Sequence, residues 1–509
     1  MLRRMLSDQV SSTTATNAGS AFAYKRLPSR ERSLTEIHVE RMNTDSGAVY
    51  LEAPLLSGSS GPGWRLSFPH MVTAILAAVL FGYHMGVVNA PLQHIGKDLL
   101  FAGHTILEGF VVSVSLASAF MGCALSGTIA DAVGRRRAFQ ISCIPMIFGA
   151  IISAVSTHVG AMILGRFIVG LGLGLSGPVT AMYVSEISPT SVRGTYGSFI
   201  QIATCIGILA SLVAGLPAHS IPGWWRTCFW IAVIPAIMLA IGMEWCAESP
   251  RWLFKIGRIA EAEHELERLW GPSHVKQAMA DLIRNEQTQD NGTTSWMALA
   301  DPRYIKVVTI GAALFAFQQF AGVNAVFYFS STVFRQAGMT SDVAASVMVG
   351  VVNLMASFVA AYLMDSLGRR SLMIMSFSGM GLAMGLQAFI AAVPAFASAR
   401  ASAALLGTLL YVFMFALGAG PVPALLLPEI FPDRIRAKGM AVAMCTHWVA
   451  NFLVGLTFLQ FLKTLGVSIL YTLFTTICFS AALFVKQNVV ETKGRTLEEI
   501  ETMLLPSIL

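Results

Sequence analysis

Three neutral amides, Gln318, Gln319 and Asn324, fall in one apolar stretch, "QQFAGVNAVFY" at 318 to 328. Gln201, Asn353 and Asn451 occupy apolar stretches of their own. An amide in hydrocarbon is costly unless it faces a cavity or a partner. Each offers both a donor and an acceptor, which suits a polyol whose hydroxyls need both; a carboxylate or phosphate would call for cations instead. Phe327, Tyr328, Phe415 and Trp448 are aromatics able to cover the apolar side of a ring. The competing reading makes the amides glue between helices. Three amides in one stretch exceed what glue needs, whereas Asn353 and Asn451 fit either reading, and Phe327 and Phe415 also fit plain packing. Gln318 and Asn324 lie six residues apart, about 240° around an ideal helix, so a helix presenting both to one ligand must bend; Gly322 between them allows it. No nucleophile, base and orienting group come together in the apolar stretches, so an enzyme is not expected, and no cofactor is called for.

The elements that hold these residues are set by composition. Of 509 residues, 55% are hydrophobic and 12% charged, about half the usual charged share of a soluble domain. From residue 71 onward, apolar runs of about 20 residues alternate with short polar turns, the length that spans a bilayer as a helix. Twelve runs begin near 71, 108, 138, 160, 196, 225, 305, 342, 371, 402, 439 and 466. They must be helical, because backbone facing lipid is satisfied only within helices or closed barrels, and no ten-residue alternation supports a barrel. Arg135, Arg136 and Arg137, then Arg193, Arg369 and Arg370, and Arg434, Arg436 and Lys438 all follow even-numbered runs. By the positive-inside rule those loops and both termini face the inner compartment. The net charge of +6 therefore reflects topology, and nucleic acid is not an expected partner. The seven cysteines lie in or beside apolar runs without metal-ligand spacing and are expected to pack rather than pair. The sequon Asn291-Gly292-Thr293 falls on the inner side, where it is expected to stay unused.

The chain repeats itself. "GPVTAMYVSEISPTSVRG" (177 to 194) matches "GPVPALLLPEIFPDRIRAKG" (420 to 439), and "DAVGRRR" (131 to 137) matches "DSLGRRS" (365 to 371), so the two six-helix halves are parallel copies. A polar insert, with the charged, helix-prone "RIAEAEHELERLW", separates them and should form short inner-side helices bridging the halves. The expected division is an extension at 1–65, one bundle at 66–249, a linker at 250–304, a second bundle at 305–486 and a tail at 487–509. Asp131, Glu186 and nearby arginines end helices on the inner face, as do Asp365, Glu429 and Arg436 in the second half. Pairs that meet only when the inner side is shut would favour the outward-open state, although exposed pairs contribute only about 0 to 1 kcal/mol. The Gly-Pro pairs at 177–178 and 420–421 should loosen or kink their helices.

The paired D-x-x-G-R-R loops, "ESPRWL" (248 to 253), "QQFAGVNAVFY" and "VETKGR" (490 to 495) resemble those of the sugar porter family of the major facilitator superfamily, over about residues 70 to 500. "LFGYHMGVVNAP" (80 to 91) and "GAGPVPALLLPEIF" (418 to 431) are similar to the plastidic glucose translocator branch. The resemblance implies an all-α fold of twelve transmembrane helices in two six-helix pseudo-repeats. It implies hexose contacts at the amides Gln201, Gln318, Gln319, Asn324, Asn353 and Asn451, beside which Phe415 and Trp448 are candidate substrate-binding residues on their aromatic chemistry alone. It also implies an inner salt-bridge network drawn from Asp131, Arg135, Arg136, Glu186, Arg193, Glu248, Arg251, Asp365, Arg369, Arg370, Glu429, Arg436 and Glu491. Where many members carry a glutamate and a tryptophan in the tenth run, this chain has Ala416 and Ala424; in the eleventh, His447 replaces an asparagine. These departures bear on which hexose fits.

In proton-coupled members an aspartate takes the place of His84, and its partner is an arginine, here Arg166. Both lie about 10 Å from the outer end of their runs, at matching depth. Without the carboxylate the pair has no acid to carry a coupled proton, which favours facilitated diffusion; a histidine merely bonded within the bundle is the competing reading. Up to residue 30 the chain holds Arg3, Arg4, Lys25, Arg26 and Arg30 against Asp8 alone, with many Ser and Thr, the composition of a transit peptide. With the branch resemblance this points to the chloroplast (plastid) inner envelope, with the plasma or vacuolar membrane as the alternative. The sequence thus leads to the expectation of a monomeric, lipid-embedded hexose uniporter, with glucose as the expected sugar. A proton-hexose symporter using another carboxylate is the runner-up, and a non-transporting sugar receptor comes last.

Overall fold

The computed structural model describes residues 64–189, 192–219, 221–288, 296–432, 434–493, 495 and 497–504. The expected N-terminal extension up to residue 63 and the sequon at 291 to 293 lie outside the described residues. Among the described residues every regular element is a helix. Six spans build the first half: Trp64–Gly86, Thr105–Val133, Arg135–Ala154, Val159–Ile187, Arg193–Ala214 and Trp224–Trp245. In the second half the seventh, Pro302–Gln336, is followed by the eighth, Asp342–Leu367, the ninth, Arg369–Ala392, and the tenth, Pro394–Ile430. The eleventh and twelfth run together as Arg436–Asn488, but Gly466 (φ 77°, ψ 165°) breaks the helix and turns the chain back. A glycine takes that backbone conformation without the clash a Cβ would bring. Twelve spans are therefore present among the described residues, matching the twelve apolar runs.

Close helix approach follows from small residues, which let backbones touch where apolar burial gives no driving force in lipid. Gly165 of the fourth span meets Gly149 of the third, while Gly174 meets Ala119 of the second. The linker contains Pro250–Lys255, Ile259–Trp270 and Val275–Thr288. Ile259–Trp270 packs on the inner ends of the first half, where Trp270 Nε1 donates to Ile187 O at 3.0 Å. At the far end of the insert, Trp296 lies 5.1 Å beneath Lys438 Nζ of the eleventh span.

The halves meet toward the outer side. Gly109 of the second span abuts Leu456 of the eleventh, and Thr105 Oγ1 donates to Gln460 Oε1 nearby. Gly350 of the eighth span lies against Leu209 and Leu212 of the fifth. Asn89, just past the first span, bonds to Phe327 O, Ser330 Oγ (2.9 Å) and Ser331 of the seventh.

Candidate functional site

The seventh span is broken where the amides need it. Its first part ends at Phe320 and its second begins at Val323, with Gly322 at φ +94° between them. Tyr411 of the tenth span, fully buried, donates to Ala321 O at 2.8 Å and holds the break. Opposite it the tenth span is itself irregular: Phe415–Ala419 form a π-turn before Pro421 starts a second helical piece, Val422–Ile430. Ser376 fixes that turn, accepting from Ala419 N at 2.8 Å and donating to Met414 O at 2.6 Å. Such turns free carbonyls that side chains can use. Gln318 Nε2 takes two of them, Ala419 O at 2.7 Å and Gly420 O at 2.9 Å. By contrast, Pro178 leaves the fourth span continuous from Val159 to Ile187.

Bending at Gly322 brings the three amides into one network. Gln319 Nε2 donates to Gln318 Oε1 at 3.0 Å and meets His447 Nδ1 at 3.0 Å, while Asn324 Nδ2 donates to Gln319 Oε1. All three amides are buried. His447, one of the departures from the family pattern, thus joins the cluster, ringed by Phe315 and Trp448 edges. Of the other two departures, Ala416 is buried within the π-turn and Ala424 is exposed on the piece that follows.

The remaining predicted residues form two further groups. Tyr328 OH donates to Asn451 Oδ1 at 3.2 Å, leaving Asn451 Nδ2 buried without a partner. Trp448 packs edge-on to Phe81 across the two halves, with centroids 6.0 Å apart. Gln201 and Asn353 sit apart from the main network and share the Cys205 sulfur, at 3.7 and 3.2 Å. Phe415 lies buried in the π-turn, and Phe327 is buried beside the Asn89 contact.

His84 and Arg166 do meet, but not through the imidazole. The guanidinium donates to the His84 backbone oxygen at 3.3 and 3.4 Å, to Val112 O at 3.5 Å and to Ser115 Oγ at 3.0 Å. Both His84 ring nitrogens are buried without partners. No carboxylate lines the cavity these residues share.

At the inner face, Arg135 makes a paired contact with Glu186 (Nε to Oε2 2.9 Å, Nη2 to Oε1 3.0 Å) and a further one with Asp131 at 3.1 Å. Lys255 of the linker reaches Asp131 at 2.9 Å. Glu248 accepts from the backbone N–H of Arg135 (2.9 Å) and Arg136 (3.3 Å), closing the start of the third span after Gly134. Burial pushes its carboxyl above the usual glutamate range, against the pull of the backbone N–H groups of Ser249, Arg135 and Arg136 and of the Arg136 charge. The second half repeats this: Glu491 accepts from Arg369 N (2.8 Å) and Arg370 N (3.1 Å), and Arg369 lies 3.5 Å from Glu429. Arg136 otherwise serves Met243 O and Glu244, while Arg436 donates to Phe431 O at 3.1 Å. Arg193 and Arg251 are exposed, and the Asp365 side chain lies outside the described residues. Arg135–Glu186, Arg135–Asp131 and Arg369–Glu429 each lie within one half, so in this outer-closed arrangement they brace a half rather than join the two.

Sequence reasoning passed over Asn89, although it stands in a quoted apolar stretch and meets the same criterion as the other amides. Tyr411 and Ser376 carried no such signal, since a single hydroxyl in an apolar run is ordinary.

A family model described as sugar (and other) transporter matches residues 70–504. The chain is 54% identical over 486 residues to probable plastidic glucose transporter 2 of Arabidopsis thaliana, covering 95% of this chain and 97% of that one. It is 49% identical over 451 residues to plastidic glucose transporter 4 of the same plant, covering 89% and 82%. Its structure is similar to that of the xylose transporter XylE from E. coli in a partially occluded inward open conformation, with a TM-score of 0.74 and 28% identity, covering 85% of this chain and 100% of that one.

Proposed function

Because the chain belongs to the sugar (and other) transporter family within the major facilitator superfamily, we propose that it is an alternating-access carrier that moves hexose, glucose foremost, by facilitated diffusion across the plastid inner envelope. The observation that carries this reading is the amide network at the break in the seventh span. Gln318, Gln319 and Asn324 are joined there to one another and to His447, so each bond in the set is one that a hexose hydroxyl can exchange for. Trp448, edge-on to His447, and Tyr328, bonded to Asn451, offer aromatic faces to the ring. Asn451, with its spare Nδ2, adds a donor.

In mechanism, a hexose entering from the open side replaces the amide-to-amide bonds. The two bent spans, seventh and tenth, then close over it, because their breaks concentrate motion at a few residues. The inner networks keep each half rigid while the halves rock. Uniport is supported by the setting of Arg166, whose described partners are carbonyl and hydroxyl oxygens, with no acid in its cavity to take a proton. The plastid assignment rests on the names of the Arabidopsis relatives and on the basic, Ser- and Thr-rich first 30 residues. The working unit in this reading is a monomer in lipid.

The test is counterflow of labelled glucose in liposomes holding the purified protein. Exchange competed by glucose and abolished in Gln318→Ala is expected; no exchange of any hexose would contradict the reading.

A further inference from the structure

Arg166 carries a full positive charge inside the fourth membrane span with only neutral groups bonded to it. Its side chain is 2% exposed, and its bonds go to His84 O, Val112 O and Ser115 Oγ at 3.0 to 3.5 Å. A guanidinium does not shed its proton, and a charge kept in low dielectric by partial dipoles alone is expensive. The same cavity presents donors with nothing to donate to. Arg166 Nε is unpartnered, and so are both ring nitrogens of His84, a residue 1% exposed. A neutral imidazole carries one N–H, and the Ser115 hydroxyl stands beside them. Tyr328 and Trp448 also line the wall, the Tyr328 hydroxyl donating to Asn451 Oδ1 and Trp448 Nε1 buried without a partner; Phe81, Leu116 and Leu173 are apolar and offer nothing to a second negative charge.

We propose that Arg166, His84 and Ser115 form a binding site for a small monovalent inorganic anion of chloride size. The anion takes the charge role that a carboxylate on the first span would otherwise fill, receiving Arg166 Nε–H and the His84 N–H. It bridges the first, second and fourth spans and so stiffens the first half. This inference does not depend on which sugar is carried, or on whether the chain carries one.

The experiment is thermal unfolding of the full-length protein in nanodiscs, with sodium chloride or bromide compared against sodium gluconate at equal ionic strength. A saturable rise in unfolding temperature with chloride and bromide, absent with gluconate, is expected. Equal responses to all three would overturn the site. His84→Asp places a carboxylate beside Arg166 and should abolish the halide response; a folded His84→Asp protein that keeps it unchanged would also overturn the site. Ser115→Ala, which leaves the charge in place, should raise the chloride midpoint several-fold. Diffraction from bromide-soaked crystals gives a reading that needs no variant: an anomalous peak within hydrogen-bond reach of Arg166 is expected, and no peak at saturating bromide would refute the proposal. Glucose counterflow, measured alongside, reports on the transport reading separately.

Discussion

Asn89 and Ser331 lock together across the two halves: the Ser331 hydroxyl lies 2.8 Å from both Asn89 O and Asn89 Oδ1, and Ser331 N donates to Oδ1 at 3.2 Å. With Asn89 Nδ2 spent on Phe327 O and Ser330 Oγ, every polar atom of the Asn89 side chain is used, at the outer end of the first span. This contact closes the outer side. Asn89→Ala should lose about 1 to 3 kcal/mol of that closure, the worth of leaving buried partners unpaired. A single cysteine placed at Met85, with other thiols removed, should then react faster with an impermeant reagent added from the outer side. Unchanged labelling would assign the closure to the glycine contacts at Gly109 and Gly350.

Gln319→Ala should weaken hexose binding by about 1 to 3 kcal/mol, because a hexose hydroxyl that bonds Gln319 in the buried network would be left unpaired. Tryptophan fluorescence titration with glucose measures it. Affinity equal to that of the unmodified protein would reduce the amides to interhelical glue.

Gly322→Ala should impair transport through backbone strain. The positive φ costs a residue with a Cβ about 1 to 2 kcal/mol, and that Cβ would come 2.8 Å from the Phe474 ring. Reduced counterflow with normal membrane insertion is expected; full activity would mean the break tolerates another backbone shape.

The twelve spans, the repeat and the bend in the seventh span were legible in the sequence because each follows from local rules: run length, charge placement, and two amides too far around a helix to share a face. What was not legible is pairing across space. The sequence set Glu429 among the inner-face charges without its partner; Arg369 lies 3.5 Å from it, through a loop copied from the Arg135–Glu186 pair. The His84 and Arg166 depths matched, yet the contact runs through a backbone oxygen, which side-chain types cannot reveal. The Gly420-Pro421 pair signalled a kink in the tenth span, but neither the Ser376 anchor on the π-turn ahead of it nor the Tyr411 bond to Ala321 O at the break in the seventh span is written in residue types.

The two inner networks should differ in strength. Arg135 and Glu186 are 7% and 9% exposed and doubly bonded, whereas Arg369 and Glu429 are 21% and 29% exposed at 3.5 Å. Glu186→Ala removes two bonds from a buried guanidinium and leaves it the half-exposed Asp131 alone as a counter-charge, which should cost about 1.5 to 3 kcal/mol. Glu429→Ala should cost about 0 to 1 kcal/mol. Thermal unfolding in detergent compares them, and equal losses would refute the asymmetry. Damage from Glu429→Lys should be partly relieved by Arg369→Glu.

If hexose moves without a coupled proton, uptake of labelled glucose into proteoliposomes should be the same with and without an inward proton gradient. Equilibration to the same final level in both conditions, with no accumulation driven by the gradient, is the predicted result. Uphill glucose accumulation driven by the proton gradient alone would contradict it and direct the search for the coupling acid to Asp131 or Glu186.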